Sequence, residues 1–160
     1  MNQNLTTVGW REWVSLPMLR LPWIAAKIDM SKTTSVLHTF STETFEKDEL
    51  KMVRYCIHPY QHNNDVTVLC ESPIISTRET HDTFGKKETH YFVETMMHIG
   101  DDKHSIILEL VNRNHASSLL LLGHTIIDGR YIIDPSKSYQ LKSPSKEELS
   151  SLYNHKNENN

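Results

Sequence analysis

The sequence predicts an all-β domain that closes into a barrel or packs as a sandwich. Short segments with alternating apolar and polar residues recur along its 160 residues, and turn-forming residues separate them. Helical periodicity is nearly absent, and neither an internal repeat nor a linker is visible. We therefore expect one domain at residues 8–153, with an N-terminal tail at 1–7 and a C-terminal tail at 154–160.

The predicted strands follow from this alternation. In the clearest of them, His90–Ile99, the residues Tyr91, Val93, Met97 and Ile99 share one apolar face. Many short strands of this kind are typical of closed β domains. The other predicted strands, in chain order, are Val8–Leu16, Trp23–Asp29, Val36–Phe40, Leu50–His58, Val66–Cys70, Ser105–Val111, Leu119–Leu122 and Tyr131–Asp134.

The segments between these strands predict turns and a short helix. Thr77–Thr89 is polar and charged and contains Gly85, so it is interpreted as an exposed hairpin loop. Gly100–Asp102 is interpreted as a tight turn that joins the strands on either side of it into a hairpin. A short helix is expected after Gly123.

A second helix is predicted near the C-terminus. Ser143 is a candidate N-cap, and Pro144 suits the first helical position because the N–H that proline lacks has no intrahelical partner there. Leu149 and Leu152 are spaced to dock this helix onto the domain.

Composition and charge exclude several classes of function. With 17 Lys and Arg against 20 Asp and Glu, the chain has no basic excess for a nucleic-acid backbone, so no nucleic-acid partner is predicted. No purely apolar run exceeds four residues, so no membrane partner is predicted. The first residues lack a signal-peptide pattern. Cys56 and Cys70 are expected to be reduced thiols of a cytoplasmic protein, although a bridge between them across a hairpin stays open.

The sequence predicts neither a metal site nor a cofactor. Among ten histidines, His58 and His62 are spaced as a helical metal pair, but Pro59 and the surrounding alternation argue against a helix. Gly85-Lys86-Lys87 lacks the spaced glycines that cradle a phosphate.

The segment from Lys27 to His38 is the most informative for function. An apolar strand runs into Asp29, a polar turn follows, and a second strand begins at Val36. A carboxylate at such a strand end suits acid–base work on a bound water. The alternative is an ordinary turn aspartate.

Several segments together resemble the bacterial retropepsin-like aspartic peptidases, which are often labelled ATP-dependent zinc proteases. The family pattern Gly-Trp-Arg-Glu-Trp-Val and Leu-Pro, then Ala-Lys-Ile-Asp and Thr-Ser-x-Leu-His, is matched in the first part of the chain, and later segments extend the similarity. The resemblance runs from about residue 8 to about residue 140. The matching segments are Gly9–Pro17, Ala26–Asp29, Thr34–His38, His58-Pro59, Asn112-Arg113, Leu121–His124 and Gly129–Pro135.

The resemblance implies a single-lobed acid-protease barrel with one or two short helices, in which Asp29 is the catalytic aspartate. It also implies that Leu121, Leu122 and Gly123 form an apolar strand beside Asp29. Thr34, Ser35 and His38 belong to the same motif region, and His124 closes the second motif. The residues give no support to the zinc and ATP labels, so no cofactor is expected.

An aspartic peptidase needs two carboxylates that share a proton, so that the ionised one activates water. The chain contains one copy of the motif. The resemblance therefore implies a homodimer in which each copy contributes its Asp29. Asp134 or Asp128 of the same chain is the alternative partner.

The motif departs from the family pattern where the chemistry takes place. Asp-Thr-Gly-Ala of the family is Asp29-Met30-Ser31-Lys32 here. Met30 lacks the bracing hydroxyl, Ser31 lacks the conformational freedom of glycine, and Lys32 places a cation near the carboxylates. Two hypotheses follow: a degenerate member that binds peptide or protein without cleaving it, or an active aspartic endopeptidase with an altered motif.

Two interpretations stay open for each of three features: the substrate, the aromatic residues and the long polar loop. The resemblance implies glutamate-rich peptides as a substrate class, because some relatives resemble peptidases that act on glutamate-rich tails, and such peptides would suit a basic groove. The alternative is that the cations nearest the motifs, Arg11, Lys27, Lys32 and Arg113, are ordinary surface charges. The tryptophans either line a groove or pack on the sheet, and the loop at 77–89 is either a flap over the site or a surface loop. The tryptophans are Trp10, Trp13 and Trp23.

Overall fold

A computed structural model, which describes residues 5–59, 67–113 and 118–154, confirms an all-β barrel. The strands are interrupted by the 3-10 turn Pro17–Leu19 and by two helices, α1 (His124–Ile127) and α2 (Lys146–Asn154). The strands are β1 (Thr6–Gly9), β2 (Arg11–Leu16), β3 (Leu21–Ile28), β4 (Ser35–Thr39), β5 (Ser41–Lys47), β6 (Leu50–Ile57), β7 (Val68–Pro73), β8 (Ser76–His81), β9 (Lys87–Ile99), β10 (Asp102–Asn112), β11 (Leu120–Leu122) and β12 (Tyr131–Asp134).

Six strands close the barrel. They follow one another as β10, β4, β11, β3, β2 and β9, and β9 pairs back onto β10. Strand β8 extends the sheet beyond β9, β5–β6–β7 form a separate antiparallel sheet, and β1 pairs with β12 in parallel. Closure leaves the barrel strands no free edge at the ring, which protects them from pairing with another chain.

Strand alternation builds the core. On β2 and β3 every second side chain is buried, as in Val14, Leu16, Ile24 and Ala26. The three-stranded sheet adds Tyr55, whose hydroxyl is 2.8 Å from that of Ser72; burial raises the pKa of this phenol. Other fully buried members are Leu21, Leu37, Val53, Ile57, Val93, Met97, Ile99, Leu108, Leu110, Leu120 and Leu122.

The predicted strand Val8–Leu16 is two strands, with a break at Trp10. A Cβ on Gly9 would lie 2.3 Å from the carbonyl oxygen of Lys137, so only glycine fits where β1 meets the C-terminal segment. Trp10 donates its backbone N–H to that same Lys137 oxygen at 2.9 Å. The prediction of one strand was wrong because the glycine at the break allows this close approach of two backbones.

A buried carboxylate fastens this junction. Glu12 on β2 is fully buried. Its Oε2 accepts hydrogen bonds from the backbone N–H of Gly9 at 2.7 Å and of Gln140 at 2.9 Å, and its Oε1 accepts one from Leu141 at 2.9 Å. One side chain therefore joins the beginning of the barrel to the segment that follows β12.

Two strands that the sequence analysis did not predict are largely exposed. Strand β5 pairs with β6, and β8 pairs with β9. The segment Thr77–Thr89, interpreted as a loop, is therefore mostly the paired β8 and β9, with a turn at 82–86. The loop interpretation was wrong in extent because edge strands with solvent on both faces show no apolar alternation.

The two helices also refine the predictions. Helix α1 follows Gly123 as expected. Helix α2 begins at Lys146 with Ser145 as its cap, because Ser145 Oγ accepts from the Glu148 N–H at 3.0 Å while Glu148 returns a bond to the Ser145 N–H. The prediction of Ser143 as N-cap was wrong. The side chain of Leu152 lies outside the described residues.

Both cysteines are free thiols. Cys70 is paired in register with Tyr55, whereas Cys56 is paired with Leu69, so the two thiols point to opposite faces of the sheet and form no bridge. Burial raises the pKa of the Cys70 thiol to about 11. A cytoplasmic location stays a prediction. Within the described residues, neither helix is long and apolar enough to cross a membrane.

The buried carboxylate of Glu12 makes a first prediction. Replacing Glu12 by Gln keeps the shape but weakens three charge-assisted hydrogen bonds, so we expect the free energy of unfolding to fall by about 2–4 kcal/mol. Urea denaturation measures this change, with the exposed Glu46→Gln as the matched control. Equal stability of the two variants would contradict the role assigned to Glu12.

Candidate functional site

Asp29 lies immediately after β3, at a place where three strands come together. Its backbone N–H donates to the carbonyl oxygen of Leu122 at 2.9 Å. Strand β11 runs parallel to β3, with Leu121 opposite Lys27 and Leu122 opposite Ile28, and β11 also pairs with β4. The structure therefore places the apolar Leu-Leu-Gly segment directly beside Asp29.

Gly123 lets this segment pass under the loop that carries Asp29. A Cβ on Gly123 would lie 2.7 Å from the carbonyl oxygen of Thr33 and 2.8 Å from the carbonyl carbon of Thr34. The Gly123 N–H donates to the buried Ser35 hydroxyl at 3.1 Å. Serine at position 35 thus braces the loop 29–34 against β11.

The first residues of α1 complete the brace. The His124 N–H donates to the Lys32 carbonyl at 2.8 Å, and the Thr125 hydroxyl donates to the Thr33 carbonyl at 2.8 Å. The His124 ring is occupied elsewhere, since its Nδ1 lies 3.0 Å from a carboxylate oxygen of Asp128. His124 therefore supports the loop through its backbone.

The Asp29 carboxylate is held within its own loop. Ser31 donates two hydrogen bonds to Asp29 Oδ1, one from its hydroxyl at 2.5 Å and one from its N–H at 3.0 Å. The Ser31 hydroxyl is the main cause of a lowered Asp29 pKa; partial burial opposes it, while the Ser31 N–H, Lys32 and Lys27 lower the pKa further. Asp29 is thus stabilised as an anion.

The other motif side chains line this loop or the strand after it. Met30 is 46% exposed, and Lys32 is exposed beside it. Thr34 is half-buried. His38, farther along β4, donates from Nδ1 to the Ser118 carbonyl at 2.6 Å, and burial lowers the pKa of its ring. His38 is therefore fixed to the chain before β11.

The four candidate cations divide into two groups. Lys27 and Lys32 act on Asp29, and Arg11 is the register partner of Lys27 on the neighbouring strand. Arg113 lies elsewhere: it follows β10, and its guanidinium is 3.8 Å from a Glu88 carboxylate oxygen. Lys32 links the two groups, because it lowers the pKa of Asp29 and, together with burial and Arg113, that of His38.

Asp134 repeats the local chemistry of Asp29. Its Oδ1 accepts the Ser136 N–H at 3.0 Å and the Ser136 hydroxyl at 2.6 Å, and Ser136, followed by Lys137, lowers its pKa. Within the described residues, neither Asp134 nor Asp128 is among the groups that shift the pKa of Asp29. Asp134 is held by Ser136 of its own loop and Asp128 lies against the His124 ring, so each carboxylate has a partner other than Asp29.

The hairpin proposed as a flap lies toward the opposite end of β4 from Asp29. Its strand β9 begins near Arg113, which donates its N–H to the Thr39 carbonyl at the end of β4. The Asp29 loop instead enters β4 at Ser35, which is in register with Leu108 of β10. This position favours a surface hairpin over a flap above Asp29.

Two of the three tryptophans pack against other elements. Trp13 stacks on Tyr139 with ring centroids 5.4 Å apart, and Trp23 donates from Nε1 to Glu148 of α2 at 3.1 Å. Trp10 is 37% exposed and contacts Arg11. Packing thus accounts for Trp13 and Trp23, and Trp10 lies at the surface beside the site.

No group of three or more His, Cys, Asp or Glu side chains in the described part of the chain is arranged to hold a metal ion. His58 stacks on Phe40 at 4.2 Å between ring centroids. His62, its candidate partner, lies outside the described residues.

The Ser31 contacts generate a second prediction. In Ser31→Ala the main hydrogen bond to the carboxylate is lost, so we expect the Asp29 pKa to rise toward its ordinary value. The ionised Asp29 contributes to the free energy of unfolding, and this contribution is lost as the pH falls through the Asp29 pKa. In Ser31→Ala the loss should therefore begin at a higher pH than in the wild type. NMR titration of the Asp29 carboxyl carbon measures the shift. Ser136→Ala is the matched control, which should raise the pKa of Asp134 and leave that of Asp29 unchanged.

The close approach at Gly123 generates a third prediction. In Gly123→Ala the new Cβ meets backbone atoms of Thr33 and Thr34, which cannot move aside without displacing the loop, so we expect a loss of about 3 kcal/mol or more of unfolding free energy. Gly129→Ala has open space and only a positive φ of 76° to strain it, so its cost should be about 1 kcal/mol. Equal costs in thermal denaturation would refute the steric argument.

Comparisons with known proteins identify the family. Residues 7–144 match the RimB-like family, described as retropepsin-like aspartic endopeptidase RimB. A protein of Parasynechococcus marenigrum strain WH8102, named "Probable alpha-L-glutamate ligase", is 36% identical over 146 residues, covering 91% of this chain and 31% of that protein. A protein of the same name from Desulfotalea psychrophila is 32% identical over 155 residues, covering 96% of this chain and 33% of that protein. The chain thus spans about a third of the length of these relatives.

A solved structure shares the fold. Lpg0085 of Legionella pneumophila, a protein of unknown function, matches with a TM-score of 0.69 at 22% identity, over 88% of this chain and 100% of that chain. The family match extends over most of the chain and includes both segments that meet at Asp29. The resemblance noted in the sequence is therefore confirmed: this chain belongs to the RimB-like family of retropepsin-like aspartic endopeptidases.

Proposed function

We propose that this chain binds peptide or protein ligands as a degenerate family member, with little or no cleavage. The observation that carries this proposal is the pair of hydrogen bonds from Ser31 to Asp29 Oδ1. A catalytic dyad works when two neighbouring carboxylates share one proton. Each contact that favours the Asp29 anion, from Ser31, Lys32 and Lys27, opposes that shared state.

The dyad requires a second carboxylate, and we propose that it comes from a second copy of the chain. A two-fold axis passing by the loop 29–34 would bring two Asp29 side chains together. Met30, at 46% exposure, would then lie near the axis with a thioether in place of a hydroxyl. A thioether is at best a weak acceptor and cannot donate, so the brace between the two loops is lost.

An active aspartic endopeptidase is the second candidate. The scaffold around Asp29 supports it, because the Asp29–Leu122 and Gly123–Ser35 hydrogen bonds hold the loop firmly. The main-chain bond from Ser31 to Asp29 needs only an N–H, which a glycine also supplies. In this case the altered motif shifts the pH dependence of cleavage instead of abolishing it.

Glutamate-rich peptides are the ligand class that we propose for either function. Two relatives that contain a region similar to this chain are named glutamate ligases. Lys27 and Lys32 place positive charge near Asp29, and Arg11 lies opposite Lys27 on the neighbouring strand; this charge suits an acidic peptide.

The experiment compares the wild type, Asp29→Asn, and a triple variant, Met30→Thr with Ser31→Gly and Lys32→Ala. Each is incubated with a peptide library that includes glutamate-rich sequences, at about pH 4 to 8, and products are followed by mass spectrometry. We expect little or no cleavage by the wild type and cleavage by the triple variant that vanishes when Asp29→Asn is added. The rate should rise faster than linearly with chain concentration if two copies form the site.

The matched control is Ser136→Gly with Lys137→Ala, which makes the same two kinds of change in the loop of Asp134. It should leave cleavage at the wild-type level. Cleavage by the wild type that Asp29→Asn abolishes would refute the degenerate function and establish the second candidate. Absence of peptide binding by the wild type, measured by fluorescence anisotropy, would refute both.

A further inference from the structure

The Arg11 side chain lies between two aromatic rings beside the site. Its Cζ is 4.5 Å from the centroid of the Trp10 ring and 4.7 Å from that of Tyr139. Trp13 also stacks on the Tyr139 ring. A guanidinium held between rings keeps its plane and orientation, which prepares it to bind a carboxylate through two parallel N–H groups.

The charge of Arg11 has no counter-ion among the described residues. Its Nε is buried and has no hydrogen-bond partner there. Other Lys and Arg side chains within the described residues do form ion pairs, so carboxylates are available elsewhere on this surface; they are Arg54, Arg78, Lys87, Arg113, Lys137 and Lys142. An uncompensated cation that is partly removed from water favours a bound anion.

The backbone of Tyr139 is held in an uncommon conformation that maintains this arrangement. Its φ is +54°, in the left-handed region that bulky residues rarely adopt. Its N–H donates to the Arg11 carbonyl at 2.9 Å, which fixes the ring over the guanidinium.

Lys27 adds a second cation on the same face. It is the direct register partner of Arg11 between β2 and β3, so both side chains leave the sheet on one side. The Lys27 Nζ is 6.0 Å from the Trp10 ring centroid, and Lys27 also acts on Asp29. Arg11 and Lys27 therefore share one face of the sheet, and Lys27 lies two residues before Asp29 in the chain.

We infer that Arg11 and Lys27, with Trp10 and Tyr139 as walls, form a subsite that binds one glutamate side-chain carboxylate of a peptide positioned at Asp29. The inference rests on the proposed function, because it assigns the residues that select an acidic ligand at that site. Arg11 supplies the oriented contact, and Lys27 supplies a flexible second charge.

The test measures the binding of fluorescein-labelled hexaglutamate and hexaglutamine by anisotropy. The full chain is used as wild type, Arg11→Gln, Arg11→Lys, Lys27→Gln and Lys51→Gln. Lys51 lies on β6 and is exposed, so Lys51→Gln removes the same charge away from the subsite. We expect hexaglutamate affinity to fall about tenfold in Arg11→Gln, which corresponds to one lost charge-assisted contact. Lys27→Gln should weaken it by a smaller factor, and Lys51→Gln should leave it unchanged.

Arg11→Lys separates an oriented contact from simple charge. It keeps the cation but loses the planar fork, so we expect it to bind hexaglutamate more weakly than the wild type, while hexaglutamine affinity stays constant in every variant. The difference in intrinsic fluorescence between the wild type and Trp10→Phe reports on Trp10. This difference should change when hexaglutamate is added and stay constant with hexaglutamine. If Arg11→Gln does not fold, Lys27→Gln, an exposed position, carries the test.

The outcomes distinguish the subsite from the proposed function. Equal binding of hexaglutamate and hexaglutamine by the wild type would overturn the subsite and leave peptide binding intact. An equal loss in Lys51→Gln and Arg11→Gln would also overturn it, because it would show a response to net charge alone. No binding of either peptide would refute the proposed function together with the subsite.

Discussion

The contact between the Asp29 loop and strand β11 is the constraint on which the rest of the site depends. Leu122 accepts the Asp29 N–H, and Gly123 lies so close to Thr33 that a side chain has no room. Strand β11 is only three residues long, yet it pairs with both β3 and β4. Strand β11 therefore fixes the two ends of the Asp29 loop relative to each other. Because the loop is held in place, a substitution within it alters the surroundings of the Asp29 carboxylate directly.

The barrel and the C-terminal segment depend on each other in a similar way. Glu12 points inward from β2 and collects three N–H groups from Gly9, Gln140 and Leu141. This places Tyr139 over Arg11, on the outer side of the same strand. Strand β2 therefore stabilises the fold through Glu12 on its inner face and carries Arg11 on its outer face, so the same strand contributes to both stability and local electrostatics.

The sequence was sufficient for the fold class, for most barrel strands and for the position of Asp29, because alternation and a long motif both point to them. It was insufficient where the determining contact is distant or where alternation is absent. Strand β5 is largely exposed on both faces, so its sequence lacks apolar alternation and resembles that of a polar loop. Ser145 replaces Ser143 as the cap because the Glu148 that reciprocates lies three residues after it. The pairing of Arg11 with Tyr139 depends on the closed fold, and no local signal reveals it.

Asp29 and Asp134 show why the loop alone does not define a catalytic aspartate. Both follow the pattern Asp-x-Ser, both accept the N–H and the hydroxyl of that serine at Oδ1, and both have a lowered pKa. A strand from elsewhere in the chain lies beside each of them: β11 runs beside Asp29, and β1 pairs with β12 so that Gly9 is opposite Asp134. The two aspartates differ in which segment lies beside them: at Asp29 it is the apolar Leu-Leu-Gly segment, and at Asp134 it is the N-terminal strand β1. Local hydrogen bonding alone therefore does not mark a catalytic position, and the choice of Asp29 as the candidate depends on the motif in which it lies and on the Leu-Leu-Gly segment beside it.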